Sequence, residues 1–136
     1  MQCLFCDIGS KRIAAEVIYE DEAAMAFLDI NPRAPGHAMV IPKAHAETII
    51  DLPDNDMGPL FSAVKRTAEK LMHATKSDGL TIGINQGRAS GQEIDHLHVH
   101  LIPRFADDRG NSLQSVVNNH PKKSTKEIAE QIRSHT

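Results

Sequence analysis

Tryptophan is absent from this 136-residue chain, tyrosine occurs once and phenylalanine four times. Whatever core the chain builds must therefore be mostly aliphatic. Excess positive charge is also missing: 15 Lys and Arg stand against 18 Asp and Glu, a formal charge of −3. That balance argues against a dedicated nucleic-acid binder and requires any phosphate chemistry to rest on local positive groups. No run approaches transmembrane length, and no basic stretch followed by an apolar one opens the chain, so the expected location is cytoplasmic, away from membranes. Cysteine is limited to Cys3 and Cys6. In a reducing compartment a Cys-x-x-Cys spacing favours metal or redox chemistry over a structural disulfide. Internal repeats and low-complexity segments are absent too, and the length suits one domain with one real core.

What is present reads as strands with short links. Val17-Ile18-Tyr19 and Met25 to Ile30 form two strands joined by acidic residues, a hairpin signal. Asn31 to Gly36 contains two prolines and a glycine and reads as a loop. His37 to Ile41 is a third strand, stopped by Pro42, and a short helix is expected near 46–51. Met57, Leu60, Phe61, Val64, Ala68, Leu71, Met72 and Thr75 recur at helical spacing and predict one long helix. Asp54 or Asp56 would cap it, Pro59 would fall in its first turn, and Gly79 would follow its end. Leu80 to Asn85 is a fourth strand, residues 86–92 are a glycine-containing loop, and a terminal helix is expected from about 124 to 134. The fold class is α+β: an antiparallel sheet with the long helix packed on it.

The fifth strand carries the chemistry. From His96 to Leu101 histidine alternates strictly with apolar residues. A strand sends alternate side chains to opposite faces, so His96, His98 and His100 share one face while Leu97, Val99 and Leu101 enter the core. No packing requirement explains three imidazoles in a row. Imidazole can act as nucleophile, acid, base or metal ligand near neutral pH. The flexible loop before the strand offers backbone N–H groups for phosphate oxygens. His98 has a histidine neighbour on each side and is the natural nucleophile toward phosphorus.

The segments Ala26-Phe27-Leu28-Asp29-Ile30, Pro35-Gly36-His37-Ala38-Met39-Val40-Ile41-Pro42-Lys43-Ala44-His45 and His96 to Ile102 together resemble the histidine-triad (HIT) hydrolases over nearly the whole chain. Asn85, eleven residues before His96, and Gly91-Gln92 also fall where that family places such residues. The resemblance implies one HIT domain over 1–136 with a helical tail from about 111 to 136. It implies a five-stranded antiparallel sheet with one long, one short and one C-terminal helix, and a homodimer with a continuous sheet. It further implies a site for a purine nucleoside monophosphate, with an AMP or GMP moiety. His98 would be the nucleophile, helped by His100, His96 and Gln92. Asp29 would accept from the ribose, and Leu4, Phe5, Ile8, Phe27 and Ile30 would wall the base. His37, Asn85, Gly91, Gln92, Glu93 and His100 would complete the phosphate side. Glu93 departs from the phosphoramidase branch, which has a serine there that helps protonate the departing amine. The departure concerns the leaving group, not the histidine chemistry.

Tetrahedral zinc takes four nitrogen or sulfur ligands. His45 and His96 would complete such a set with Cys3 and Cys6, as in several bacterial-type members. The zinc would be structural, and no organic cofactor is expected. Two unligated thiols are the alternative. The expected activity is a nucleotidyl hydrolase or transferase cleaving a phosphoramidate or similar bond through a nucleotidyl-histidine. A dinucleoside polyphosphate hydrolase and a zinc-stabilised nucleotide-binding module without turnover stand beside it.

Overall fold

The computed structural model describes residues 2–135, and Thr136, the last residue of the expected tail, lies outside them. In chain order it contains α1 (Leu4–Gly9), β1 (Val17–Glu20), β2 (Ala24–Leu28), β3 (Ala38–Pro42), α2 (Asp54–Thr75), β4 (Gly79–Gly83), β5 (Val99–Arg104) and α3 (Thr125–Arg133), with 3-10 turns at Arg88–Ser90 and Leu113–Val116. The five strands form one antiparallel sheet in the order β1-β2-β3-β5-β4. The expected hairpin forms because Asp21 Oδ1 accepts from the N–H groups of Ala23 and Ala24, both at 2.8 Å, turning β1 into β2.

The sheet divides two cores. Ala24, Ala26, Ala38, Val40, Val99 and Leu101 cluster with Leu60, Ala63, Val64 and Leu71 of α2. The opposite face carries Met25, Phe27, Met39 and Ile41, covered by Phe5 and Ile8 of α1. Small residues on the first face let a long helix lie close. This rotates the buried stripe of α2 from the expected one: Ala63 and Thr67 are buried, while Phe61 and Met72 are each 38% exposed. Buried Thr67 satisfies its hydroxyl on the Ala63 carbonyl at 2.8 Å.

The ends of α2 also differ from expectation. Pro53 is the cap residue and makes no side-chain bond, so Asp54 and Asp56 act only as first-turn charges. Pro59 falls at the sixth helical residue, in the second turn. Lys76, not glycine, takes the left-handed position that ends the helix, at φ 54°, and its N–H reaches the Met72 carbonyl. Gly79 already belongs to β4.

The short helix sits at Leu4–Gly9, not at 46–51. There Thr48, Ile49 and Ile50 are β-branched, and the backbone is drawn outward: Ala46 O accepts from Leu97 N–H, Glu47 O from Gln92, and Ile49 N–H donates to Gln86. At α1 the Cys3 thiol sulfur accepts from the Cys6 N–H, capping the helix. The terminal helix appears as expected, closed by a Ser124–Glu127 capping box, yet none of its residues is buried. No helix among the described residues is long and apolar enough to cross a membrane.

Candidate active site

The expected strand of alternating histidines enters the sheet only at Val99. Val99, His100 and Leu101 pair with Val40, Met39 and Ala38. Residues 96–98 run up to the sheet outside the ladder, because Leu97 N–H bonds to Ala46 O at 2.7 Å. Alternation nevertheless survives. Leu97, Val99 and Leu101 are buried among the α2 core, and His98 and His100 meet on the other face with ring centroids 5.0 Å apart.

Each histidine has a defined tautomer. A carbonyl oxygen can only accept, so a ring nitrogen facing one must carry the proton. His98 Nδ1 lies 2.7 Å from the His96 carbonyl, which leaves Nε2 with a free lone pair. His96 Nε2 lies 2.8 Å from the Pro42 carbonyl, which leaves Nδ1 free. The third ring is set at longer range. Arg33 N–H donates to His37 Nδ1 at 3.1 Å, so His37 carries its proton on Nε2 and donates it to His100 Nδ1 at 3.0 Å. His100 therefore presents Nε2–H as a donor.

Burial keeps this relay neutral. It pushes His37 below the ordinary imidazole value, with Asp29 opposing and Arg33 adding to the shift. It pushes His100 down to about 4, reinforced by His98 and His37 and opposed by Asp29. An unfolded imidazole titrates near 6.5, so acid favours the unfolded chain first. The stability owed to neutral His100 is present above about pH 6.5 and is lost as the pH falls toward about 4. Denaturation midpoints taken at pH 7 and pH 4.5 should fall further for the wild type than for His100→Asn. An equal fall in both would remove the buried relay from the account.

Phe5 of α1 sets its ring edge-on against His98, centroids 5.1 Å apart, and against Phe27 at 5.4 Å. With Ile8, Met25, Met39 and Ile41 they form an apolar wall beside the imidazoles. Asp29 follows β2 at the rim; its Oδ1 accepts from Asn31 N–H at 2.8 Å, and its Oδ2 lies 3.6 Å from His37 Nε2. Ile30, expected in the wall, is 91% exposed, and Leu4 is 43% exposed. Asn85 and Glu93 are exposed as well.

The loop before the triad is more self-contained than expected. The N–H groups of Gly87, Ser90, Gly91 and Gln92 all bond within it. Gly87 and Gly91 hold φ values of 86° and 101°, a region a side chain rarely tolerates. The Gln92 amide is buried and occupied: Oε1 accepts from Gly87 N–H at 2.8 Å, and Nε2 donates to Glu47 O at 2.8 Å and Ile94 O at 3.1 Å. Gln92 thus ties the loop to the segment after β3.

Cys3, Cys6, His45 and His96 bring one ligand atom each within 4.8 Å of one another. The distances from Cys3 Sγ and Cys6 Sγ to His96 Nδ1 are both 3.5 Å, and from Cys6 Sγ to His45 Nδ1 3.3 Å. The donor set is two thiols and two imidazoles, the number and kind of ligand that zinc takes, and the Pro42 bond leaves His96 Nδ1 unprotonated, the state a metal ligand needs. Burial, then the Cys3 thiol, hold the Cys6 thiol above its ordinary value, a pressure that a cation would reverse. Asp29, His37 and His100 form a second close group, but there the lone pair of His37 Nδ1 is taken by Arg33 and its Nε2 keeps a proton. That group is a hydrogen-bond chain.

Sequence reasoning had no access to the two backbone acceptors, Pro42 O and His96 O, or to the Arg33 N–H. Met25, Met39 and Ile41 were within reach of it, since the alternation that puts Phe27 on the triad face puts them there too.

A sequence model described as the HIT domain matches residues 10–107. An uncharacterized HIT-like protein of Methanocaldococcus jannaschii is 45% identical over 106 residues, which is 78% of this chain and 81% of that protein. The adenosine 5'-monophosphoramidase HNT1 of Saccharomyces cerevisiae is 38% identical over 108 residues, 79% of this chain and 66% of that protein. The crystal structure of a HIT family member from Bacillus subtilis superposes with a TM-score of 0.88 at 31% identity, covering 100% of this chain and 98% of the other.

Proposed function

The chain belongs to the HIT-domain family, and from that premise we propose that it is a nucleotidyl hydrolase or transferase acting on a purine nucleoside 5'-phosphate joined to an amine. The observation that carries this reading is the His98 tautomer. The 2.7 Å bond to the His96 carbonyl holds the proton on Nδ1 and leaves Nε2 unprotonated. Nε2 attacks the α-phosphorus, a P–Nε2 bond forms and the bond to the leaving nitrogen breaks. That nitrogen takes up a proton from solvent. Water then cleaves the P–Nε2 bond, returns a proton to solvent and frees the monophosphate. His100 Nε2–H stabilises the phosphoryl oxygens. The apolar wall of Phe5, Ile8 and Phe27 holds the base, Asp29 accepts from the ribose, and Leu4 and Ile30 close over the base from the rim. Asn85, Gly91 and Glu93 border the phosphate, with Gln92 holding their loop. The phosphoramidase activity of the yeast relative supports the amine leaving group.

Cys3, Cys6, His45 and His96 hold a structural zinc in this reading. When bound, the zinc crosslinks α1 to the strand of histidines and takes no part in the reaction.

A turnover panel tests the proposal: adenosine and guanosine phosphoramidates against dinucleoside polyphosphates, with bound nucleotide measured in parallel. Phosphoramidates should turn over fastest. Faster polyphosphate cleavage would replace the leaving group, and nucleotide binding with no turnover of any compound would leave a binding module.

The chain is also proposed to pair with a second copy. β4 is an edge strand with Ile82 43% exposed, and Phe61 and Met72 stand exposed on α2. Sedimentation at micromolar concentration should give a dimer; a clean monomer would show that these surfaces serve no such interface.

A further inference from the structure

The segment 43–51, between β3 and α2, supports the histidine strand while being thinly anchored itself. Ala46 is its only buried residue and has one methyl group to pack. Yet three hydrogen bonds run from this segment to the triad and the loop before it. Ala46 O accepts from Leu97 N–H at 2.7 Å, Glu47 O accepts from Gln92 Nε2 at 2.8 Å, and Ile49 N–H donates to Gln86 Oε1 at 3.2 Å. The first matters most. Leu97 stands between His96 and His98, where the strand has not yet joined the ladder, so Ala46 O takes the place of a strand partner. The second is passed on, because Gln92 Oε1 accepts in turn from Gly87 N–H at 2.8 Å.

His45 immediately precedes these contacts. It is exposed, and its ring neighbours belong to the cysteine–histidine group: Nδ1 lies 3.3 Å from Cys6 Sγ, and the ring is edge-on to His96 with centroids 5.1 Å apart. The four candidate ligands therefore have different attachments. Cys3 and Cys6 belong to the start of α1, and His96, fully buried, belongs to the triad. A cation on those three joins α1 to the strand without His45. What His45 adds is a tether on residues 45–49, which hold Leu97 and Gln92.

We propose that His45 is a positioning residue for the reaction. Its ligation of a divalent cation fastens residues 45–49, and through Ala46 O and Glu47 O it fixes the backbone between His96 and His98 and the loop 86–92. Metal occupancy then sets the rate, although no step of the reaction uses the metal. The inference rests on the zinc reading and on His98 as nucleophile. Phe27 and Asp29, the proposed base and ribose contacts, lie on and just after β2 and make none of these bonds, so the effect falls on kcat and spares KM.

The test follows zinc content, hydrogen exchange at the Leu97 amide, and kcat and KM for an adenosine phosphoramidate in the wild type, His45→Ala and His45→Cys. His45→Ala keeps three protein ligands, a set that zinc accepts with water as the fourth. Loaded with zinc, it should exchange the Leu97 amide about tenfold faster than the wild type and lose about tenfold in kcat at near-constant KM. His45→Cys supplies a fourth protein ligand and should restore both. Chelation of the wild type should raise Leu97 exchange as His45→Ala does. If His45→Ala sheds its zinc, the comparison of zinc-loaded His45→Cys with the chelated wild type decides. Wild-type exchange and kcat in zinc-loaded His45→Ala overturn the coupling alone, as does a zinc-loaded His45→Cys that restores neither. A wild type that binds no zinc overturns the zinc reading and this inference with it. Zinc-dependent protection at Leu97 without turnover of the phosphoramidate overturns the phosphoramidase reading and the rate role of His45 together.

Discussion

His98→Ala and His98→Asn are expected to turn over an adenosine phosphoramidate more slowly by at least about a thousandfold. Binding of adenosine monophosphate should stay near the wild-type strength. The separation follows from the proposed roles: Phe27 and Asp29, the proposed base and ribose contacts, owe nothing to the His98 lone pair, and in that proposal only the reaction uses Nε2. His100→Ala should cost less, because Nε2–H stabilises phosphate without bonding to phosphorus. Rapid-quench mass spectrometry of the wild type should find an adenylyl group on His98. An adduct on His96 or His100, or full activity in His98→Ala, sinks the assignment. Melting curves of each variant guard against a trivial loss, since Phe5 rests edge-on against His98.

The second large effect belongs to the cysteine–histidine group. Purified protein is expected to carry about one zinc per chain, and Cys6→Ser to lose most of it. The same variant should melt about 10 °C lower. Removing the crosslink loosens α1, and α1 brings Phe5 and Ile8 down on the triad face. Metal analysis and a thermal melt, each with and without chelator, read both quantities. Metal-free protein with unchanged stability would leave two unligated thiols.

Much of this was legible in the chain because the side-chain period of a strand is short and local. Alternation from His96 to Leu101 needs no knowledge of neighbours to place histidines on one face. The long helix was legible for the same reason, although its stripe turned by a residue once Ala63 and Thr67 faced a sheet lined with alanine. What escaped depended on distant backbone. Residues 46–51 have a composition that tolerates a helix, but their carbonyls and amides are claimed by Leu97, Gln92 and Gln86, 37 to 51 residues away in sequence. Gln92 looked free to meet phosphate until the Glu47 and Ile94 carbonyls took its amide. Ile30 matched the family pattern, yet it stands in solvent.

The acceptors that hold His96 and His98 in their tautomers are main-chain oxygens, those of Pro42 and His96 itself. No codon change at either position deletes a carbonyl. The proton pattern of the triad is therefore shielded from point mutation in a way that a carboxylate-oriented histidine is not. Neighbouring side chains can drift without disturbing which nitrogen stays bare. The same fact limits transplantation. A strand of alternating histidines grafted onto another sheet would carry its own His96-type carbonyl but not the end of the antiparallel neighbour β3 at Pro42. The graft would need that neighbouring backbone rebuilt before its first histidine adopted the right tautomer.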